Sequence, residues 1–419
     1  MYNIIMKLAK KEIKDFLNRC QKYIKTDIIY LIKGGFWWIV GKLGVSLISF
    51  ITLIFFANWL SKENYGTYQF ILASLGLFSI FTLPGIDVTI IKSITQKKEG
   101  TLELALKEKI KWGSVGSLLS LIFAVWYFLQ GNNFLAIVFL LGSLLIPFYS
   151  SFFIFNVFWW AKKRFDLHAK YQIICAGLSA LLVILVVFLT ANIFLIISVF
   201  LISQVFIGWF FYQKTKQQII SNEKDESAIS FGKHLTLMNV FHTIAYHFDK
   251  IIIWKFLGAV PLAIYTFAIS PIQKLQEMSP LIPLSLPKLG ELKIDKERKK
   301  NIISKFLWLF IITVPGTIIL ILIAPFLYQL FFPQYMESVI YFQVLSIIIA
   351  LSPFGLLSVG LVTEMKKRAL YLISIFLPLF KIILFFILLP FFGIWGIIIT
   401  LLITEFLGGL LVLYFFLKI

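Results

Sequence analysis

Apolar runs too long for a soluble domain recur along the whole of this 419-residue chain. Leu118 to Leu129, Phe134 to Phe148 and Leu178 to Phe200 are three of them. A helix must carry about 20 mostly apolar residues to cross the hydrocarbon of a bilayer. Spanning strands would be shorter and would alternate apolar with polar side chains, which these runs do not. Only 14% of the residues are charged and 60% are hydrophobic, with a mean hydropathy of +0.92. That leaves too little polar surface for a soluble protein of this length. The sequence therefore predicts an all-α integral membrane protein.

About twelve spans of about 20 residues are expected: 35–57, 67–90, 112–130, 134–158, 171–190, 193–212, 236–256, 262–286, 306–329, 338–361, 370–389 and 392–416. The span at 236–256 is the least apolar, and 262–286 carries Pro271, Pro280 and Pro283, which mark kinks. Loop charge alternates. Lys97, Lys98, Lys107, Lys109 and Lys111 fall on one side with Lys162, Lys163, Arg164, Lys214 and Lys216. Lys296, Arg298, Lys299, Lys300, Lys366, Lys367 and Arg368 join them, whereas the other side holds little beyond Lys62 and Lys255. With the N-terminal tail, about 33 of the 39 basic residues share that side. The positive-inside rule then puts both termini in the cytoplasm of a cell-membrane protein. The same asymmetry explains the formal charge of +19 and removes nucleic acid as a partner.

Residues 1–33 form a basic cytoplasmic segment without the compact apolar core of a signal peptide. Ile4, Ile5, Leu8, Ile13, Phe16 and Leu17 recur at roughly helical spacing among lysines. They read as a helix on the membrane surface or as a solvated tail. Cys20 and Cys175 are too few and too far apart in kind for a disulfide framework. Loops of at most about 20 residues leave no room for a soluble catalytic domain.

The chain repeats itself. Leu60 to Phe70 follows the first span and Leu257 to Phe267 the seventh, with Leu60, Tyr68 and Phe70 in register with Leu257, Tyr265 and Phe267. Lys162-Lys163-Arg164 and Lys366-Lys367-Arg368 recur at nearly the same offset. Two six-helix halves follow, residues 34–212 and 213–419, the second opening with a polar linker expected to act as a tether. Six is even, so the halves face the same way, as in transporters with a cavity between repeats.

Together with Asp249 to Gly258 and Tyr265 to Ala268, the repeated segment Leu60 to Phe70 resembles polysaccharide flippases of the Wzx type. These belong to a superfamily that includes the multidrug and toxin extrusion (MATE) transporters and the lipid II flippase. The resemblance covers about residues 30–419. It implies a MATE-like fold and movement of an undecaprenyl-diphosphate-linked oligosaccharide across the cell membrane for surface polysaccharide (O-antigen, lipopolysaccharide) synthesis.

Intramembrane polar residues point to the cavity, because an unpaired charge there is costly. Lys42 shares a helical stripe with Ser46 and Ser49. Asn239, Tyr246 and Lys250 share another, flanked by His242 and Asp249. Ser270, Gln273, Lys274 and Glu277 form a third. Lys381 and Glu405 lie in the last two spans. Lys42, Lys250, Lys274, Lys381, Asn239 and Tyr246 are the substrate-binding candidates, since ammonium groups bind phosphate as point charges. Asp249, Glu277 and Glu405 are the candidates for coupling to an ion, H+ or Na+. Each also has a structural alternative: Lys274 with Glu277 as an i,i+3 pair, Lys381 with Glu405 across helices, Asp249 and Lys250 at an interface.

His242 and His247 point about 140° apart, so no metal site is expected, and no Gly-rich phosphate loop or cofactor motif is present. Gly34-Gly35 and Gly408-Gly409 read as packing positions. Three functions compete. A lipid-linked oligosaccharide flippase fits the lysines. A MATE-type drug or cation antiporter would favour acidic residues in the early spans, where Lys42 lies instead. A polymerase or ligase enzyme would bring a long outer loop, and none is present. The expectation is a transporter.

Overall fold

A computed structural model describes residues 28–278, 296–364 and 366–418. Most of the basic N-terminal segment, with its amphipathic pattern, and Pro280 and Pro283 lie outside the described residues. The described chain is helical: α1 (Ile28–Trp59), α2 (Lys62–Phe78), α3 (Gly85–Thr95), α4 (Thr101–Leu129), α5 (Asn133–Tyr149), α6 (Phe155–Ala161), α7 (Phe165–Thr190) and α8 (Ile193–Lys216). There follow α9 (Glu226–Leu257), α10 (Ala259–Glu277), α11 (Lys296–Phe331), α12 (Ser338–Leu345), α13 (Ile347–Ala350), α14 (Phe354–Thr363), α15 (Lys367–Tyr371), α16 (Leu377–Phe392) and α17 (Ile394–Leu417). Among the described residues, eight helices are long and apolar enough to cross a membrane, or up to ten if two pairs bent by 45° and 42° each count as one span. The bends fall at Pro84 and Pro353, where a backbone donor is missing. The two remaining expected spans coincide with α9 and α10, whose polar side chains keep them out of the apolar class. The membrane helices thus form the all-α architecture expected.

Short turns are fixed by local chemistry. Ser61, Asn132 and Asn192 cap α2, α5 and α8 by accepting from Asn64, Leu135 and Phe194 N–H groups at 3.2, 3.1 and 2.9 Å. Gly258 breaks α9 from α10 at φ 95°, a conformation that side chains disfavour. Glycines also set helix contacts. Gly34 lies against Phe165 and Gly409 against Phe354, as the packing reading expects.

One end of the molecule is sealed. The two copies of the repeated segment meet there: α2 packs along α10 so closely that a Cβ on Gly66 would lie 1.9 Å from the Ala259 carbonyl oxygen. Phe267 stacks on Tyr335 with ring centroids 3.6 Å apart and lies 4.7 Å from Tyr65. Tyr328 Oη donates to the Phe267 carbonyl, and Ser338 Oγ to that of Ile264, both at 2.8 Å. A Lys62–Glu337 ion pair at 3.0 Å closes the rim.

The opposite end carries basic turns. Glu99 accepts from Lys162 and from the Ile220 N–H at 2.8 Å. Asp225 accepts from Ser93 Oγ at 3.0 Å and Lys98 Nζ at 3.5 Å, while its N–H donates to Thr101 Oγ1 at 2.9 Å. These bonds bring the turns around 99, 162 and 220 together. They also correct the expectation of a tether, because the linker before α9 is strapped onto α3 and α4. Burial alone would raise the Glu99 pKa; the Lys162 hydrogen bond and the Ile220 N–H outweigh it, so the carboxyl sits below its ordinary value. The Ser227 hydroxyl, with Ser93, the Ala228 N–H and Lys98, lowers Asp225 to about 2.

Candidate functional site

Between the N-terminal helices and α9–α12 lies a cavity of about 740 Å³. Its roof is the aromatic seal, where Tyr65, Phe332 and Tyr328 reach the lining. Among the described residues, its charged side chains all come from α9 and α10: Lys250, Lys274 and Glu277. The α1, α2, α7 and α8 wall offers Ser46, Ser49, Thr52, Gln69, Ser179 and Gln204, and among the described residues no charge.

Helical phase explains the α9 side. Tyr246 and Lys250, four residues apart, share a face and both line the cavity. Lys250 Nζ donates to Gln69 Oε1 at 3.4 Å, and Gln69 Nε2 donates to Tyr65 Oη at 2.9 Å, so the cation is tethered to α2 and the seal. Asp249 points elsewhere. It is only 2% exposed and accepts from Tyr265 Oη at 2.5 Å and the Lys250 N–H at 2.7 Å. Lys274 and Glu277 pair at 2.9 Å, half-exposed to the cavity.

A second cavity of about 450 Å³ lies within α9–α17. His242, Gln276, Ser352, Lys381 and Glu405 reach it, and Tyr246 lines both cavities. Lys381 sits 5.5 Å from the Phe385 ring centroid. Glu405 lines the same cavity, and among the described residues no ion pair joins the two.

The expected site residues thus divide. Lys250, Lys274, Tyr246 and Glu277 come together. Lys381 and Glu405 share the second cavity, because α16 packs on α9 and α17 packs on α16. Lys42 does not reach the lining. Its neighbours on the same stripe, Ser46 and Ser49, do, while Lys42 sits one turn further along, an electrostatic neighbour of His168. Asn239 is exposed and donates back to the Leu235 carbonyl at 3.1 Å, outside both linings. Gln69, Ser179 and Gln204 were not anticipated; their one signal is an amide or hydroxyl interrupting an apolar run. Lys109, read as a loop lysine, is buried and holds Asp87 at 2.6 and 2.8 Å.

The family described as polysaccharide biosynthesis protein matches residues 31–279. The chain belongs to that family. A Shigella flexneri protein named as an O-antigen transporter is 23% identical over 329 residues, 73% of this chain and 77% of its own length. The fold is shared with the lipid II flippase MurJ in an inward closed conformation, at TM-score 0.66 and 14% identity over 92% of this chain and 87% of that one. An outward-facing MATE family multidrug resistance transporter of the MOP superfamily gives TM-score 0.57 and 13% identity, covering 93% and 96%. The chain is accordingly a multi-span membrane protein of the polysaccharide biosynthesis protein family with the MATE-like fold.

Proposed function

We propose that this protein is a flippase that moves an undecaprenyl-diphosphate-linked oligosaccharide from the cytoplasmic to the outer leaflet of the cell membrane. The observation that carries the reading is a cavity sealed at one end whose wall presents Lys250 and Lys274. Two ammonium groups suit a diphosphate, and the volume lies within the range of headgroup-sized pockets. The lipid chain stays in the bilayer. The O-antigen transporter relative and the lipid II flippase neighbour support this substrate class. On this reading the basic end is cytoplasmic, the seal faces outward, and residues 34–212 and 213–419 rock about the cavity. Lys250, Lys274 and Tyr246 hold the headgroup. Asp249, buried beside Lys250, and Glu405 in the second cavity are the positions through which H+ or Na+ acts.

The test is deletion of the gene in its host, with radiolabelled sugar followed into the lipid-linked pool. Lipid-linked oligosaccharide should accumulate, accessible only from the cytoplasmic side of vesicles. Normal export of surface glycan after deletion, with no accumulation, would sink the proposal.

A further inference from the structure

The two walls of the main cavity differ in chemistry. Among the described residues, every charged side chain that lines it belongs to α9 or α10. The facing wall, from α1, α7 and α8, is neutral but carries hydroxyl and amide groups. Two features of that wall bear on a ligand. First, Ser46 and Ser49 line the cavity, and their hydroxyls have no hydrogen-bond partner among the described residues. A serine within a helix commonly donates back to its own turn, as Ser74 does to Phe70 and Ser143 to Leu140 here. Second, Gln204 is held in one orientation. Ser203 Oγ donates to the Phe200 carbonyl at 2.8 Å, so the 3.1 Å contact between Ser179 and Ser203 takes its proton from Ser179. Ser179 Oγ is then left to accept from Gln204 Nε2, also at 3.1 Å. The chain of bonds fixes the amide. Its carbonyl oxygen and second N–H remain, an acceptor and a donor side by side.

An adjacent donor and acceptor match two neighbouring sugar hydroxyls, each of which both donates and accepts. Free serine hydroxyls on α1 add further partners of the same kind. None of these groups attracts phosphate as a cation would. We infer that the substrate lies across the cavity with a fixed polarity, its diphosphate on Lys250 and Lys274 and its first sugar on the wall formed by Ser46, Ser49 and Gln204. Gln204 and the two serines are then specificity-determining residues, and Ser179 is a positioning residue that acts through Gln204. This assignment rests on the flippase reading and adds to it which wall recognises which part of the headgroup. Each wall belongs to a different set of helices, so a full headgroup bridges them whereas a sugarless diphosphate engages one.

The experiment uses the full-length protein purified in nanodiscs and two probes: farnesyl diphosphate, and farnesyl diphosphate bearing N-acetylglucosamine. Kd is measured for each by a direct binding assay. Gln204→Leu and the double variant Ser46→Ala/Ser49→Ala should each weaken the sugar-bearing probe about tenfold. Both should leave farnesyl diphosphate unchanged. Lys250→Ala and Lys274→Ala should weaken both probes alike. Gln204→Asn, which keeps the amide on a shorter stem, should fall between wild type and Gln204→Leu. Thermal unfolding of each variant verifies that the protein measured is folded. If the lysine variants lose both probes while the Gln204 and serine variants lose neither, or lose both equally, the polarity is wrong and the flippase reading stands. If wild type binds neither probe, the flippase reading itself falls, and this inference with it.

Discussion

Gly66→Ala tests whether the seal is a moving part. In the structure the added Cβ would sit 1.9 Å from the Ala259 carbonyl oxygen, 2.6 Å from its carbonyl carbon and 3.0 Å from its Cα. All three atoms are backbone, so no side chain can swing aside. Comfortable carbon–oxygen separations are about 3.3–3.6 Å, so α2 and α10 must part by roughly 1.5 Å. Overpacking of this kind costs about 1–3 kcal/mol. The cost falls only on a conformation in which α2 and α10 touch. A state open at this end escapes it, and the equilibrium between the two shifts by about 5- to 150-fold toward opening. Thr266 reports the change, because it is wholly buried at the seal and close in size to cysteine. In a background without Cys20 and Cys175, Thr266→Cys should react slowly with a membrane-impermeant thiol reagent. Adding Gly66→Ala should raise the rate at least fivefold. Gly316→Ala is the control, since nothing lies within 4 Å of its added Cβ. A folded Gly66→Ala protein that labels at the unsubstituted rate and transports normally would refute the rocking of α2 against α10.

Lys250→Ala and Lys274→Ala should each lower transport severely at normal abundance, whereas Lys42→Ala, outside the lining, should retain at least half of it; equal losses in all three, measured by glycan export, would erase the distinction between lining and non-lining lysines. Asp249→Ala and Tyr265→Phe each remove one partner of a buried hydrogen bond, so each should destabilise by about 1–3 kcal/mol. The double variant should cost less than the sum, and additive losses in thermal unfolding would show that the two groups do not interact. The linker strap should depend on acid, because its carboxyls are held below their ordinary values in the fold. Such groups add stability that is present above the ordinary carboxylate pKa and disappears as pH falls through the lowered one. Protease cleavage between 217 and 225 should therefore stay slow from pH 7 to 5 and accelerate only below about pH 4; acceleration already at pH 6 would mean that another group holds the strap.

Sequence alone determined that the chain lives in a membrane, because runs of about 20 apolar residues have one stable solution there, a hydrogen-bonded helix. It also located the spans closely, put the turns around 99 and 162 on one side and picked out the repeated segment at Leu60 and Leu257. Family membership was legible for the same reason, since Leu60 to Phe70 and Asp249 to Gly258 are contiguous in the chain. What the sequence left open was which polar faces meet. Helical phase puts Tyr246 with Lys250, and Lys274 with Glu277, but says nothing of what lies opposite. Only the packing of α16 on α9, with α17 against α16, places Lys381 and Glu405 in the second cavity and not the main one. Only the contacts of α1 leave Ser46 and Ser49 on the lining and Lys42 off it. Lys109 turned inward to Asp87 although its neighbours in sequence read as a basic loop. The pairing of a charge in a membrane protein depends on partners tens or hundreds of residues away, and tertiary packing alone brings those within hydrogen-bond distance.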